Sequence, residues 1–138
     1  MPEVKVQLCQ VGPSTSEATL PRGHKVLVDR PEAKGGADKG PMGGEYFLTA
    51  VGGCFMSTLL AAIKAREAPV TNVRTDVKGV LAEDPTRFSS VSLLVRADCE
   101  DGDLLNRLVQ IAENGCIMVT TLKRDIEFSV SAGVAAPV

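Results

Sequence analysis

No charged residue occurs between Tyr46 and Ile63, inside the segment GGEYFLTAVGGCFMSTLLAAIKAR at residues 43–66. Leu, Ala and Met favour helix in its second half, and Pro69 ends it. A helix whose apolar residues fall on several faces is predicted to be buried nearly all round. The apolar positions are Phe47, Leu48, Val51, Phe55, Leu59, Leu60, Ala62 and Ile63.

This helix is also just long enough to be considered as a membrane span. Thr49, the pair Gly52-Gly53, Ser57 and Thr58 make it more polar than such spans usually are. We therefore expect it to be the central helix of a soluble domain.

The remaining pattern predicts strands and one further helix. Alternation of polar and apolar residues predicts strands at 3–9 and 24–30, with residues 12–23 as a loop or hairpin connection. The Gly- and Pro-rich residues 31–44 form a long excursion of the kind that is usually functional or mobile. Later strands are predicted at 71–84, 88–99 and 125–131, and Asp101 or Asp103 caps a helix that ends at Asn114-Gly115. This order predicts an α+β domain with antiparallel sheet.

Length and charge narrow the possible functions. With 138 residues, the chain is predicted to be one domain over residues 1–138. A net charge of −2 without a basic cluster gives no basis for nucleic-acid binding. The start, MPEVKVQLCQ, does not resemble a signal peptide, so we expect a cytoplasmic protein and no membrane partner. Four cysteines without CxxC spacing and one histidine argue against structural zinc, and we expect no metal and no cofactor.

The four cysteines differ in their surroundings. Cys9 and Cys99 lie at strand ends, where a cysteine is most often a small buried hydrophobic residue. Cys54 and Cys116 each follow a glycine and precede an apolar segment, and they could meet where the two helices pack. Apolar burial raises a thiol pKa, so a reactive Cys54 needs a cationic partner, ideally one held by a carboxylate. Glu45 lies nine residues earlier, and a bridging arginine could connect the two.

The segment DRPEAKGGADKGPMGGEYFLTAVGGCFMSTLLAAI resembles the OsmC/Ohr family of thiol-dependent peroxidases. The matching features are Arg-Pro-Glu at 30–32, a Gly-rich loop, Gly-Pro-x-x-x-Glu at 40–45, and an apolar helix with Gly-x-Cys at 52–54. A strand pair, an amphipathic helix and Cys116 follow, so that the resemblance covers nearly the whole chain.

The resemblance implies an intertwined homodimer in which antiparallel sheet wraps around two central helices and the active sites lie at the interface. It implies that Cys54 reduces organic hydroperoxides to alcohols and that the resulting sulfenic acid forms a disulfide with Cys116, which an external dithiol reduces. Glu45 and Arg30 correspond to the family's Glu–Arg pair, with Arg22 as the alternative arginine. Such activity serves oxidative or osmotic stress defence.

Alternatives remain open at this stage. Ile117 stands where the family usually has proline, and the β-branched residues of CIMVTT at 116–121 would also suit a strand. The glutamate of many members stands ten residues before the cysteine, where this chain has Gly44. The main rival function is a non-enzymatic dimer that binds a small apolar ligand at its interface, and a third is a purely structural dimer.

Overall fold

A computed structural model describes residues 1–134 and confirms the predicted α+β class. Two short 3₁₀ turns, Pro21–Gly23 and Glu32–Lys34, accompany the regular elements. The strands are β1 (Gln7–Gln10), β2 (Ser16–Thr19), β3 (Lys25–Val28), β4 (Thr71–Ala82) and β5 (Arg87–Asp98). The helices are α1 (Gly43–Ala65), α2 (Gly102–Gly115) and α3 (Ile117–Leu122).

The strands form two sheets. β1, β2 and β3 are consecutive and antiparallel, with Cys9 opposite Glu17 and Ala18 opposite Val26. β4 pairs with β5, and the short connection at residues 83–86 makes this pair a hairpin. Along both long strands half-buried residues largely alternate with exposed ones, which is typical of a sheet with one covered face.

Two strand predictions are wrong in the described chain. Residues 12–23, predicted as a connection, contain β2, whose polar sequence SEAT gives no apolar alternation and which is defined by its pairing with both neighbours. Residues 125–131, predicted as a strand, have no regular structure. A strand exists only through backbone pairing, and the described residues offer this segment no neighbouring strand.

The described chain divides into two compact units, and α1, β4 and β5 each contribute to both. The first unit comprises Met1–Gly52 and Thr75–Leu94. In it Phe47 stacks on Phe88 with ring centroids 5.5 Å apart. Gly52 must remain small there, because an added Cβ would lie 2.6 Å from Cγ2 of Val77.

The second unit begins at Gly53 and contains α2, α3 and most of the fully buried side chains. Asp101 caps α2 as predicted, since its carboxylate accepts the N–H groups of Asp103 and Leu104. The buried residues of this unit are Phe55, Leu59, Ala62, Val70, Leu108, Ala112 and Cys116.

Helix α1 is not buried all round, which corrects the sequence-based prediction. The buried side chains form one stripe, Val51, Phe55, Leu59 and Ala62, whereas Leu60 is 48% exposed. Among the described residues, α1 is also the one helix whose length and hydropathy would allow a membrane span. Core helices of soluble proteins meet the same criterion, so this is weak evidence for a membrane.

Candidate active site

Cys54 occupies the middle of α1. It is the twelfth of 23 helical residues and is half-buried, and its carbonyl accepts a hydrogen bond from Oγ1 of Thr58 at 3.0 Å. At 1.5 Å per residue it lies roughly 16 Å from the start of the helix. Because the macrodipole acts within the first turn, it does not stabilise a thiolate at this position.

Cys116 lies at the junction between α2 and α3 and is completely buried. It continues the stripe by which α2 packs, since Leu108, Ala112 and Cys116 are spaced four residues apart and are all buried. After Cys116 the chain forms α3, so the alternative of a strand at 116–121 is wrong. The N–H of Thr120 donates to the Cys116 carbonyl, which closes the first turn of α3.

Both thiols belong to the second unit and are in contact. Sγ of Cys116 donates to Sγ of Cys54 at 3.3 Å, and both cysteines are reduced. Gly115 permits this approach, because a Cβ there would already lie 3.3 Å from Cγ2 of Thr58 on α1. A disulfide bond is about 2.04 Å long, so the sulfurs need to approach by only roughly 1.3 Å.

The two thiols differ in their exposure to solvent. Burial raises the pKa of the Cys116 thiol, and the neighbouring Cys54 thiol raises it further. Hydrogen bonds from the backbone N–H groups of Val119 and Met118 lower the pKa of Cys116, but the effect of burial is larger. Cys116 is therefore a protonated, enclosed thiol, whereas Cys54 is partly accessible to solvent. This arrangement suits a reaction in which the accessible thiol of Cys54 reacts with a substrate and the enclosed thiol of Cys116 then attacks the Cys54 sulfur.

Arg30 and Glu45 lie in the first unit. Arg30 is exposed and lines an open cleft of about 480 Å³ together with Lys34 and Gly43, the first residue of α1. The Glu45 carboxylate accepts the N–H of Met42 at 2.9 Å, which is one half of a capping box. Within residues 1–134 no ion pair joins Arg30 to Glu45. The catalytic roles of both residues stay predictions.

The alternative arginine and the other thiols are placed differently. Arg22 is exposed in the turn Pro21–Gly23 with a left-handed φ of 65°. Cys9 is exposed on β1, so its assignment as a buried hydrophobic residue is wrong. Cys99 is half-buried, and its thiol donates to the Asp101 carbonyl at 3.1 Å. The described residues contain no group of three or more His, Cys, Asp and Glu side chains that could hold a metal ion.

Asp29 is a functional candidate that the sequence analysis missed. It is a buried acid at the end of β3, beside Arg30, and its carboxylate accepts hydrogen bonds from Thr15, Arg30 and Lys39. Burial alone would raise the pKa of Asp29, but hydrogen bonds from Thr15, Ser14 and the backbone of Lys39 and Arg30 outweigh it. The net effect holds the pKa well below its ordinary value, so Asp29 is ionised. The feature of the sequence that identifies Asp29 as a candidate is its position directly after an apolar strand.

The comparison with protein-family models assigns the family. The family model described as OsmC-like protein matches residues 36–131, which is more than half of the chain, so the chain belongs to the OsmC-like family. A search of curated protein sequences gave no match.

Similar solved structures support the same fold. A candidate osmotic stress induced and detoxification response protein of Psychrobacter arcticus has a TM-score of 0.75 at 16% identity, covering 88% of this chain and 89% of its own. An organic hydroperoxide resistance protein OsmC of Legionella pneumophila has a TM-score of 0.68 at 15% identity, with coverages of 89% and 90%. The organic hydroperoxide resistance protein OhrB of Bacillus subtilis has a TM-score of 0.64 at 19% identity, with coverages of 88% and 90%. At these identities the similarity establishes the fold alone.

Proposed function

We propose that this protein is a two-cysteine peroxidase that reduces organic hydroperoxides to alcohols in stress defence. The Cys54 thiolate attacks the outer oxygen of the O–O bond, becomes a sulfenic acid and releases an alkoxide, which takes a proton to give the alcohol. The Cys116 sulfur then attacks the sulfenic sulfur, forming the disulfide and releasing water. An external dithiol reduces the disulfide and is itself oxidised.

The observation that carries this proposal is the contact of 3.3 Å between two reduced sulfurs of unequal exposure. The partly accessible Cys54 suits the attacking thiol, and the enclosed Cys116 suits the thiol that resolves the sulfenic acid. Membership of the OsmC-like family agrees with a peroxide-related role. A ligand-binding dimer with inert cysteines would be favoured by sulfurs held far apart, and this distance gives that alternative no support.

The proposal includes a cation for the thiolate. We assign this role to Arg30, with Glu45 as its carboxylate partner, because a guanidinium lowers a thiol pKa and α1 supplies no dipole at Cys54. Arg30 is preferred to Arg22 because Arg30 begins the Arg-Pro-Glu motif at 30–32 that carries the family resemblance. We infer an organic hydroperoxide as the substrate because Phe55 and Met118 are expected to give the site an apolar lining.

The proposed assembly is a cytoplasmic homodimer of one domain per chain. Near both ends of the described chain, every second side chain is apolar and exposed. These side chains form an apolar surface that a second copy of the chain would bury. The exposed positions are Val4, Val6, Leu8, Ile126, Phe128 and Val130. The second copy would also supply the backbone partner that residues 125–131 lack in a single chain.

Single-turnover reactions with cumene hydroperoxide test the peroxidase. Cys54→Ser should abolish peroxide consumption, because the attacking sulfur is lost. Cys116→Ser should consume one equivalent and stop as a sulfenic acid, which dimedone traps on Cys54. Cys9→Ser is the matched control and should behave as wild type, since Cys9 is an exposed residue of β1 outside the sulfur pair. Equal consumption by wild type and Cys54→Ser would refute the proposal.

A further inference from the structure

We propose that Thr58 and Gly115 form a spacer that sets the distance between the sulfurs of Cys54 and Cys116, and thereby the redox potential of this pair. Both are positioning residues, because they act on the sulfurs through the backbone segments that carry them. The inference rests on the proposed function, since it concerns the disulfide of the same reaction. All four residues belong to the second unit.

The Thr58 side chain contacts both segments that carry the cysteines. Its hydroxyl donates to the Cys54 carbonyl at 3.0 Å, one helical turn earlier on α1. This bond orients the side chain, and its methyl carbon Cγ2 lies against Gly115, the last residue of α2. Cys116 is the next residue, and its sulfur lies 3.3 Å from that of Cys54. One short side chain therefore separates the two backbone segments that must approach when the disulfide forms.

Gly115 is required here for space and not for an unusual backbone conformation. The described glycines with a positive φ are Gly23 and Gly35, so Gly115 has a conformation that alanine can also adopt. A Cβ at Gly115 would lie 3.3 Å from Cγ2 of Thr58, which is closer than two carbon atoms prefer. Outside its chain neighbours, no other side-chain atom of residues 1–134 lies within 4 Å of that position. The contact with Thr58 thus limits how closely the junction can approach α1.

Disulfide formation draws these two segments closer together, since the sulfurs need to approach by roughly 1.3 Å. A methyl group added at Gly115 therefore clashes more in the oxidised protein than in the reduced protein, and it shifts the equilibrium toward the dithiol. Such a shift is a change in the reduction potential of the pair. A general loss of packing would destabilise both redox states alike and leave the potential unchanged.

Equilibration with mixtures of reduced and oxidised glutathione measures this potential. Two protein thiols are oxidised to the disulfide while one glutathione disulfide is reduced to two glutathione thiols. The Cys54–Cys116 disulfide is quantified by mass spectrometry after alkylation of the free thiols. Gly115→Ala should lower the equilibrium constant about tenfold, which raises the potential by about 30 mV. Gly102→Ala, the matched control on α2, meets no atom within 4 Å and should change the constant less than about threefold.

Moving the methyl group across the contact should restore the potential. Thr58→Ser removes Cγ2 but keeps the hydroxyl, so Gly115→Ala combined with Thr58→Ser should return to within about threefold of wild type. Thr58→Val has the shape of threonine and keeps a methyl group in the contact. Gly115→Ala combined with Thr58→Val should therefore remain about tenfold below wild type.

The glutathione assay contains no peroxide, so it separates this inference from the proposed function. Wild type that forms the disulfide with glutathione but does not consume cumene hydroperoxide would refute the peroxidase, and the same equilibrium constants would still decide on the spacer. Wild type that forms no Cys54–Cys116 disulfide would refute both.

Two results would overturn the spacer alone. They are an unchanged equilibrium constant in Gly115→Ala, and equal recovery by Thr58→Ser and Thr58→Val. Should Gly115→Ala alone not fold, as judged by far-UV circular dichroism, its combination with Thr58→Ser decides. That double variant should fold and have the potential of wild type, and failure in either respect would overturn the inference.

Discussion

Oxidation of the sulfur pair should stabilise the protein strongly. Cys54 and Cys116 are 62 residues apart in the chain, and their sulfurs already touch in the folded, reduced state. In the chain-entropy model, a disulfide closing a loop of this length removes about 14 cal/mol/K from the unfolded chain, or about 4 kcal/mol at 25 °C. Little of this gain should be lost to strain, because the sulfurs need to move by only roughly 1.3 Å.

Urea unfolding followed by far-UV circular dichroism measures the effect. The oxidised protein should exceed the reduced protein by about 4 kcal/mol in free energy of unfolding, which for a chain of this length corresponds to roughly 15 °C in melting temperature. Both forms must be compared at one protein concentration, since the stability of the proposed dimer would depend on it. The variant with Cys54→Ser and Cys116→Ser, treated with the same oxidant, should not change. An oxidised form that is no more stable than the reduced one would refute the reasoning, because closing the bond would then distort the helix junction.

Four further variants test the packing and the charges. Because burial raises the pKa of Cys116 above its ordinary 9.0, the reduced protein should lose stability as pH rises beyond that value, and urea midpoints of Cys116→Ala should lack this loss. Because hydrogen bonds hold the pKa of Asp29 below its ordinary 3.8, the stability it contributes should disappear as pH falls through the acid range, and Asp29→Asn should flatten the acid-unfolding curve there. Gly52→Ala should cost about 1–3 kcal/mol against Val77. Gly53→Ala, which meets no atom within 4 Å, should gain up to about 1 kcal/mol, and equal losses at both glycines would contradict the packing.

The elements that the sequence predicts correctly are those with a local physical signal. The uncharged segment around Cys54 predicts α1, two strand-like segments joined by a turn predict β4 and β5, and Asp101 or Asp103 predicts the start of α2. The short helix after Cys116 was ambiguous, because β-branched residues also suit strands and the burial of Cys116 depends on α2.

The candidate site depends on contacts that no local pattern contains. The sequence shows only that Cys54 and Cys116 could meet where two helices pack. Their contact depends on the junction after Gly115, which lies against α1. Asp29 was missed because a single aspartate after a strand resembles a solvated strand end, and its burial follows from three donors distant in sequence.

The most direct test counts thiols after one equivalent of cumene hydroperoxide per reduced chain. The peroxidase mechanism predicts that two of the four thiols disappear together. It also predicts that peptide mapping finds one disulfide, between Cys54 and Cys116 of the same chain. An unchanged thiol count, or oxidation confined to Cys9 and Cys99, would contradict the mechanism.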